Sequence, residues 1–392
     1  MTIARPVPDR TALGAALAGC LTELIAIPSP YPPGETRDIC AYAAARLKRA
    51  GYRTETVGRA PGVDNVVGSL GNGGPHLVFN AHADTVGVGE RAMWRSDPFK
   101  AEQRDGLVIG LGAGNCKGSM AAQLWLADEI ARVGGPKRGT VTFTFVGDEE
   151  NLGPDGMALL RSTGKVKPDM LVLGAQTENQ LITAERGVLW VAIETRGKAA
   201  HAGAPDRGDN AILRMLRVVG ALERTLGELL PARRDGAMAS TVSLGLIRGG
   251  HNTNVVPSAC RVEIDRRLLP GETVDQAYDE IAAIVASCGE PADMVAVERL
   301  RGTNGFRAPA DGALVQGFSA AIQAATEKPP RFLNATGVSD GRYFADDGIE
   351  IVNFGPGSGD QGHAANESVP IDQMVDAALI QRDLVARLLG LD

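Results

Sequence analysis

Asn80-Ala81-His82-Ala83-Asp84-Thr85 closes a short apolar run, Leu77 to Phe79, with a histidine and a carboxylate two residues on. A strand alternates its faces, so its end presents His82 and Asp84 on one side. A histidine that ligates a metal usually has its second ring nitrogen held by an acceptor, and Asp84 is placed to be that acceptor. The pattern recurs twice. The β-branched and aromatic run Val141 to Val146 leads into Asp148-Glu149-Glu150, and Gly355-Pro356-Gly357 precedes His363. Histidines and carboxylates gathered at strand ends predict a metal-hydrolase site on an α/β sheet.

At 392 residues the chain exceeds one typical core, and two domains are expected. Apolar content of 44% and charged content of 22% are those of an ordinary globular protein. A net charge of −7 without a basic cluster argues against a nucleic-acid surface. No apolar run approaches the roughly 20 residues that span a bilayer, and Met1 to Pro6 lack a signal peptide's apolar core. Five scattered cysteines (Cys20, Cys40, Cys116, Cys260 and Cys288) form neither a C-x-x-C pair nor a disulfide framework. A cytoplasmic protein is expected.

Helical spacing runs over 11–26 and 36–50, with the proline-rich turn Pro28 to Pro33 between them. Strands are expected at 52–57, 65–70 and 76–81, then helix 117–133, strand 139–146, helix 155–163 and strand 169–174. Alternating strands and helices predict an α/β domain with a mixed sheet flanked by helices. After Gly187 the character changes. Strand 188–196, helix 210–229, strands 240–247 and 259–267 and helix 273–288 predict an α+β unit inserted into the larger domain. Its two helices would cover one face of a four-stranded antiparallel sheet. Strand 349–354 and helices 315–327 and 371–390 return to the first domain. The boundaries are then 1–187 with 301–392 for the catalytic domain and 188–300 for the insert.

Further motifs run nearly end to end. They include Trp94 to Phe99 (W-x-x-D-P-F), Gly110 to Gly118 (G-x-G-x-x-N-x-K-G), Thr177-Glu178-Asn179 and Glu185-Arg186-Gly187. Gly197 to Gly203, Gly249-Gly250 to Pro257, Asp265-Arg266-Arg267 and Ser339-Asp340 complete the set. With His82-x-Asp84, Asp148-Glu149-Glu150 and His363, the chain resembles the zinc aminoacylase/carboxypeptidase family, which includes acetylornithine deacetylase, succinyl-diaminopimelate desuccinylase and carboxypeptidase G. The resemblance implies a catalytic domain interrupted by a lid that often dimerises, so a homodimer is expected. It also implies two zinc ions about 3.5 Å apart, bridged by an aspartate and a water. Carried over, one ion would use His82, residue 115 and residue 175; the other would use residue 115, Glu150 and His363. Glu149 would be the general base. His201 on the lid would reach the scissile carbonyl oxygen, and Asn254 and Arg267 would help hold the substrate carboxylate or the lid geometry.

Two positions break the pattern. Residue 115 is asparagine where the bridging aspartate is expected, and residue 175 is alanine where an acid is expected. Shifting the frame by one places Gln176 there, still neutral. Two dications 3.5 Å apart repel by about 15–20 kcal/mol at an effective dielectric near 20. Three ligand carboxylates normally offset this, and only Glu150 remains. The expected site therefore holds at most one zinc or other divalent ion, through Glu150 and His363 with Asn115 or waters. Hydrolysis of an N-acyl amino acid or small peptide-like amide is the leading expectation. A metal-independent enzyme doing acyl transfer, amide formation, elimination or isomerisation on an amino-acid-derived substrate is the alternative. A non-catalytic amino-acid-binding protein is the third. Cys116 reads as packing, with a thiol nucleophile as the other reading. The glycines at 110, 112 and 114 fail the G-x-G-x-x-G order and read as a tight turn.

Overall fold

A computed structural model describes residues 9–335 and 337–391; the Met1 to Pro6 reading lies outside them. Eight α-helices are present among the described residues. These are α1 (Arg10–Ile25), α2 (Arg37–Arg49), α3 (Gly118–Arg132), α4 (Met157–Ser162), α5 (Ala211–Leu229), α6 (Val274–Ala286), α7 (Ala313–Thr326) and α8 (Ile371–Leu389). The strands that matter for the site are β1 (Arg53–Gly58), β2 (Asp64–Asn72), β3 (His76–His82), β4 (Gly139–Val146), β5 (Met170–Gly174) and β6 (Leu181–Ile182). They continue with β7 (Gly187–Arg196), β8 (Thr241–Gly249), β9 (Ala259–Leu268), β10 (Val295–Thr303), β11 (Phe332–Leu333) and β12 (Glu350–Phe354). The chain divides into two compact units, the second built on Ala184–Arg307.

In the first unit the mixed sheet runs β11-β6-β12-β5-β3-β4-β2-β1. Its central strands β12, β5, β3 and β4 are mutually parallel, while β2 and β1 join antiparallel. Parallel central strands are covered on both faces, which is why β3 is buried from Leu77 to His82 and reads as a continuous run. Phe79 stacks on Phe143 across β3 and β4 with ring centroids 5.3 Å apart. Helix α2 lies on β1 and β2, α3 packs with α1 and α8, and α7 lies against α8. Because the four central strands run the same way, their carboxyl ends lie on one sheet edge, where α/β folds bind ligands.

In the second unit the antiparallel sheet runs β8-β9-β7-β10. Leu189, Val191 and Ile193 of β7 and Val262 and Ile264 of β9 form a buried core with α5 and α6. A Thr273–Gln276 capping box starts α6, and Asn210 caps α5 through Ile212 and Leu213 N–H. Sequence periodicity did not locate β10. Its pairing with β7 shifts register between Trp190 and Val191, so the alternation of Val295 and Val297 does not carry through Leu300. Among the described residues no helix is long and apolar enough to cross a membrane.

Candidate active site

Each parallel strand delivers one part of the site as it ends. β3 stops at His82, β4 leads through Asp148 to Glu149 and Glu150, β5 leads to Ala175, and the loop after β12 carries His363. The fifth part is the turn before α3. Gly112 opens it with φ +80°, and a Cβ there would meet Thr85 at 2.7 Å, so the position needs glycine. Asn115 follows in extended conformation (φ −113°, ψ 96°) and projects into the cluster.

Asn115 is the hub. Its Nδ2 donates to Glu150 Oε1 at 2.8 Å and faces His363 Nε2 at 3.2 Å, while its Oδ1 lies 3.1 Å from His82 Nε2. A carboxylate only accepts, which fixes the amide's orientation and leaves Oδ1, also an acceptor, against His82. On its other side His82 Nδ1 meets the Asp84 main-chain oxygen at 2.9 Å, a third acceptor. Both ring nitrogens of His82 therefore donate in this arrangement. The electrostatics agree. Burial opposes charge on His82, but Cys116, Asp84 and Glu149 outweigh it and lift its pKa well above the ordinary imidazole value. Asp84 holds His82 by its main-chain carbonyl. Its carboxylate Oδ1 lies farther away, at 3.6 Å from Nδ1, and Oδ2 accepts the Glu150 N–H at 3.0 Å.

Glu149 is pushed up to about 8, chiefly by burial, with His82 and Arg342 opposing and Asp340 and Glu150 adding to the rise. His363 lies 3.2 Å from Glu150 Oε2, whose carboxylate raises the imidazole's pKa. Ligand atoms of His82, Glu149 and Glu150 all lie within 4.8 Å of one another. Ala175 brings no donor, and Gln176 turns its side chain beside Gly114 and Gly362. Cys116 is buried with Sγ–H on the Gly174 carbonyl at 3.3 Å, as a packing residue would be.

The other predicted residues lie in the second unit. His201 and Val255 form a β-bridge, and Ala202 N–H donates to Asn254 O at 2.9 Å, so the His201 and Asn254 loops are joined. Gly203 N–H donates to His201 Nδ1 at 3.0 Å, so Nδ1 is the acceptor and the ring hydrogen sits on Nε2. Arg267 is elsewhere. It pairs with Asp265 at 2.7 Å and registers with Val188, at the start of β7, whereas the His201 loop follows the end of β7. Eight residues of strand separate those ends, about 26 Å at 3.3 Å per residue.

Sequence reading did not single out Arg342 or Asn80. Asn80 Nδ2 donates to Asp340 Oδ2 at 3.1 Å, and Arg342 Nη1 lies 3.6 Å from Glu149 Oε1. The available signal was a polar residue, Asn80, within an otherwise apolar strand.

The candidate reactive groups stand at the carboxyl edge of the parallel strands of a mixed sheet. The sequence model described as Peptidase family M20/M25/M40 matches residues 78–387, and the chain belongs to that family. The succinyl-diaminopimelate desuccinylase of Bordetella petrii is 30% identical over 385 residues, covering 96% of this chain and 98% of its own. The acetylornithine deacetylase of Myxococcus xanthus is 29% identical over 392 residues, covering 96% and 98%. Among solved structures, an M20 family metallo-carboxypeptidase, Sso-CP2 from Sulfolobus solfataricus, superposes with a TM-score of 0.77 at 16% identity, covering 95% of this chain and 99% of its own. A Staphylococcus aureus tripeptidase gives 0.76 at 21%, covering 95% and 97%. These last two likenesses speak to the fold alone.

Proposed function

We propose that this chain hydrolyses an N-acyl amino acid or a small peptide-like amide, with a site that takes at most one divalent cation. The observation that carries this reading is an amide, Asn115, at the hub where a bridging carboxylate would serve two ions. Two cations do not fit one ligand carboxylate, for the repulsion given above. One cation fits Glu150 and His363, with Asn115 beside them. When bound it would supply Lewis acidity toward the scissile carbonyl.

The chain's own residues would do the rest. Glu149 takes the proton of the attacking water and returns it to the leaving nitrogen. His201 offers its Nε2–H to the developing oxyanion. Asn254, joined to the His201 loop, would help hold the substrate carboxylate. Arg267, about 26 Å away along β7, would hold the lid geometry, with the 188–300 insert acting as the lid. A metal-independent reaction is the second reading, favoured by one observation: both nitrogens of His82 face acceptors, so its lone pair is not free for a metal.

The test is metal analysis after zinc loading, alongside a screen of N-acetyl and N-succinyl amino acids. About one ion per chain and hydrolysis that chelator abolishes and zinc restores are expected. Two ions per chain would sink the single-cation reading, and full turnover in chelator would establish the second one.

The insert is also proposed to pair two copies. Leu244, Leu246 and Ile247 on the edge strand β8 and Leu213 and Leu216 on α5 are exposed, and α5 lies alongside β8. An unpaired apolar edge is a template for another chain. The expected outcome is a dimer by light scattering at micromolar concentration, converted to monomer by Leu246→Asp with Ile247→Asp. A monomeric parent would refute it.

A further inference from the structure

The Ser339-Asp340 motif has no role in the chemistry above, and the residues following it stand against the base. Asp340 and Arg342 lie on the short helical turn Asp340–Phe344, whose Tyr343 hydroxyl donates to Gly153 O at 2.8 Å in the loop that carries Glu149. Arg342 is 5% exposed, and its guanidinium is held on one side. Nη2 donates to the Tyr343 hydroxyl at 3.0 Å and lies 3.7 Å from Asp340 Oδ1. Asp340 is itself fixed by Asn80, whose Oδ1 accepts from Thr144 at 2.8 Å. The other terminal nitrogen, Nη1, is buried, has no hydrogen-bond partner, and points to Glu149 Oε1 at 3.6 Å. A guanidinium stays charged and planar, so fixing one edge of the fork aims the other.

We propose that Arg342, braced by Asp340 and Asn80, is a positioning residue that holds the Glu149 carboxylate toward the reacting water. This rests on the reading of Glu149 as the base. Arg342 Nη1 is closed to solvent, so the group acts through Glu149 and not by touching substrate. Misplacing a reacting group by about 1 Å lowers turnover on the order of 100-fold, which sets the expected scale.

Two measurements test this. The first is a double-mutant cycle in urea at about pH 9, where Glu149 is ionised, with Arg342→Met, Glu149→Gln and the pair. Arg342→Met alone should lower the unfolding midpoint, and much of that loss should vanish when Glu149→Gln has already removed the partner charge. Additive effects would overturn the pairing. Should Arg342→Met not fold, Arg342→Met with Asp340→Asn removes the buried charges together and takes its place in the cycle, with Asp340→Asn as its background. The second uses N-acetyl and N-succinyl amino acids. Arg342→Met should lower kcat about 10- to 100-fold with KM within about threefold, and Arg342→Lys should recover part of it. A rise in KM at constant kcat would overturn the positioning role, because it would place Arg342 on the substrate. If the parent hydrolyses none of these amides, the proposed function fails while the urea cycle still decides the pairing.

Discussion

Glu149→Gln is expected to lower kcat about 10²- to 10⁴-fold, the range a positioned general base contributes. The amide keeps the shape of the carboxylate and loses its ability to take a proton, so KM should move little. The parent's pH profile carries a second signature. Burial lifts Glu149 toward about 8 against the ordinary carboxylate value. Because the ionised form is the working one, kcat/KM should fall as pH drops through an acid limb lying above the usual carboxylate range. The stability sign is opposite. A folded-state pKa raised above the unfolded value contributes stability that is fully present below the unfolded value. That stability is lost as pH rises toward about 8. Wild-type turnover in Glu149→Gln would remove it from the base position.

The second large effect is a gain. Asn115→Asp with Ala175→Glu should raise zinc content from at most one ion per chain to two, since each ion regains an anionic ligand among His82, Glu150 and His363. His82 should then lose its Nε2 proton only when zinc arrives, because the ion takes the lone pair that the proton held. Metal-free, the double variant should unfold at lower denaturant than the parent, because clustered carboxylates repel. Zinc should reverse that order. No added zinc in the variant would mean that the strand ends have moved, and the assignments of His82 and residue 175 would fall with it.

Much of this site was legible because its parts sit at strand ends. An apolar run that stops at a histidine or at paired glutamates shows both the strand and its chemistry, as at His82 and Glu149. The departures at 115 and 175 were visible for the same reason. What stayed hidden depends on contacts that no local pattern encodes. Arg342 meets Glu149 only because β12 and β4 flank β5 and β3 in one sheet. β10 was lost to a register shift that breaks its period. The way Asp84 reaches His82 also differs from the alternation argument, since β3 ends at His82 and the main chain, not the side chain, makes the close contact.

Asn115 ties His82, Glu150 and His363 into one hydrogen-bonded set. The rotamers of those three side chains are thus fixed when the chain folds, and an incoming ion meets a cluster with little disorder left to lose. The same bond sets a threshold. A cation that would use both oxygens of Glu150 must displace the amide hydrogen from Oε1, so it competes with a built-in rival there. Weakly bound ions lose that competition, and only those that gain more from the carboxylate than the amide does will take both oxygens.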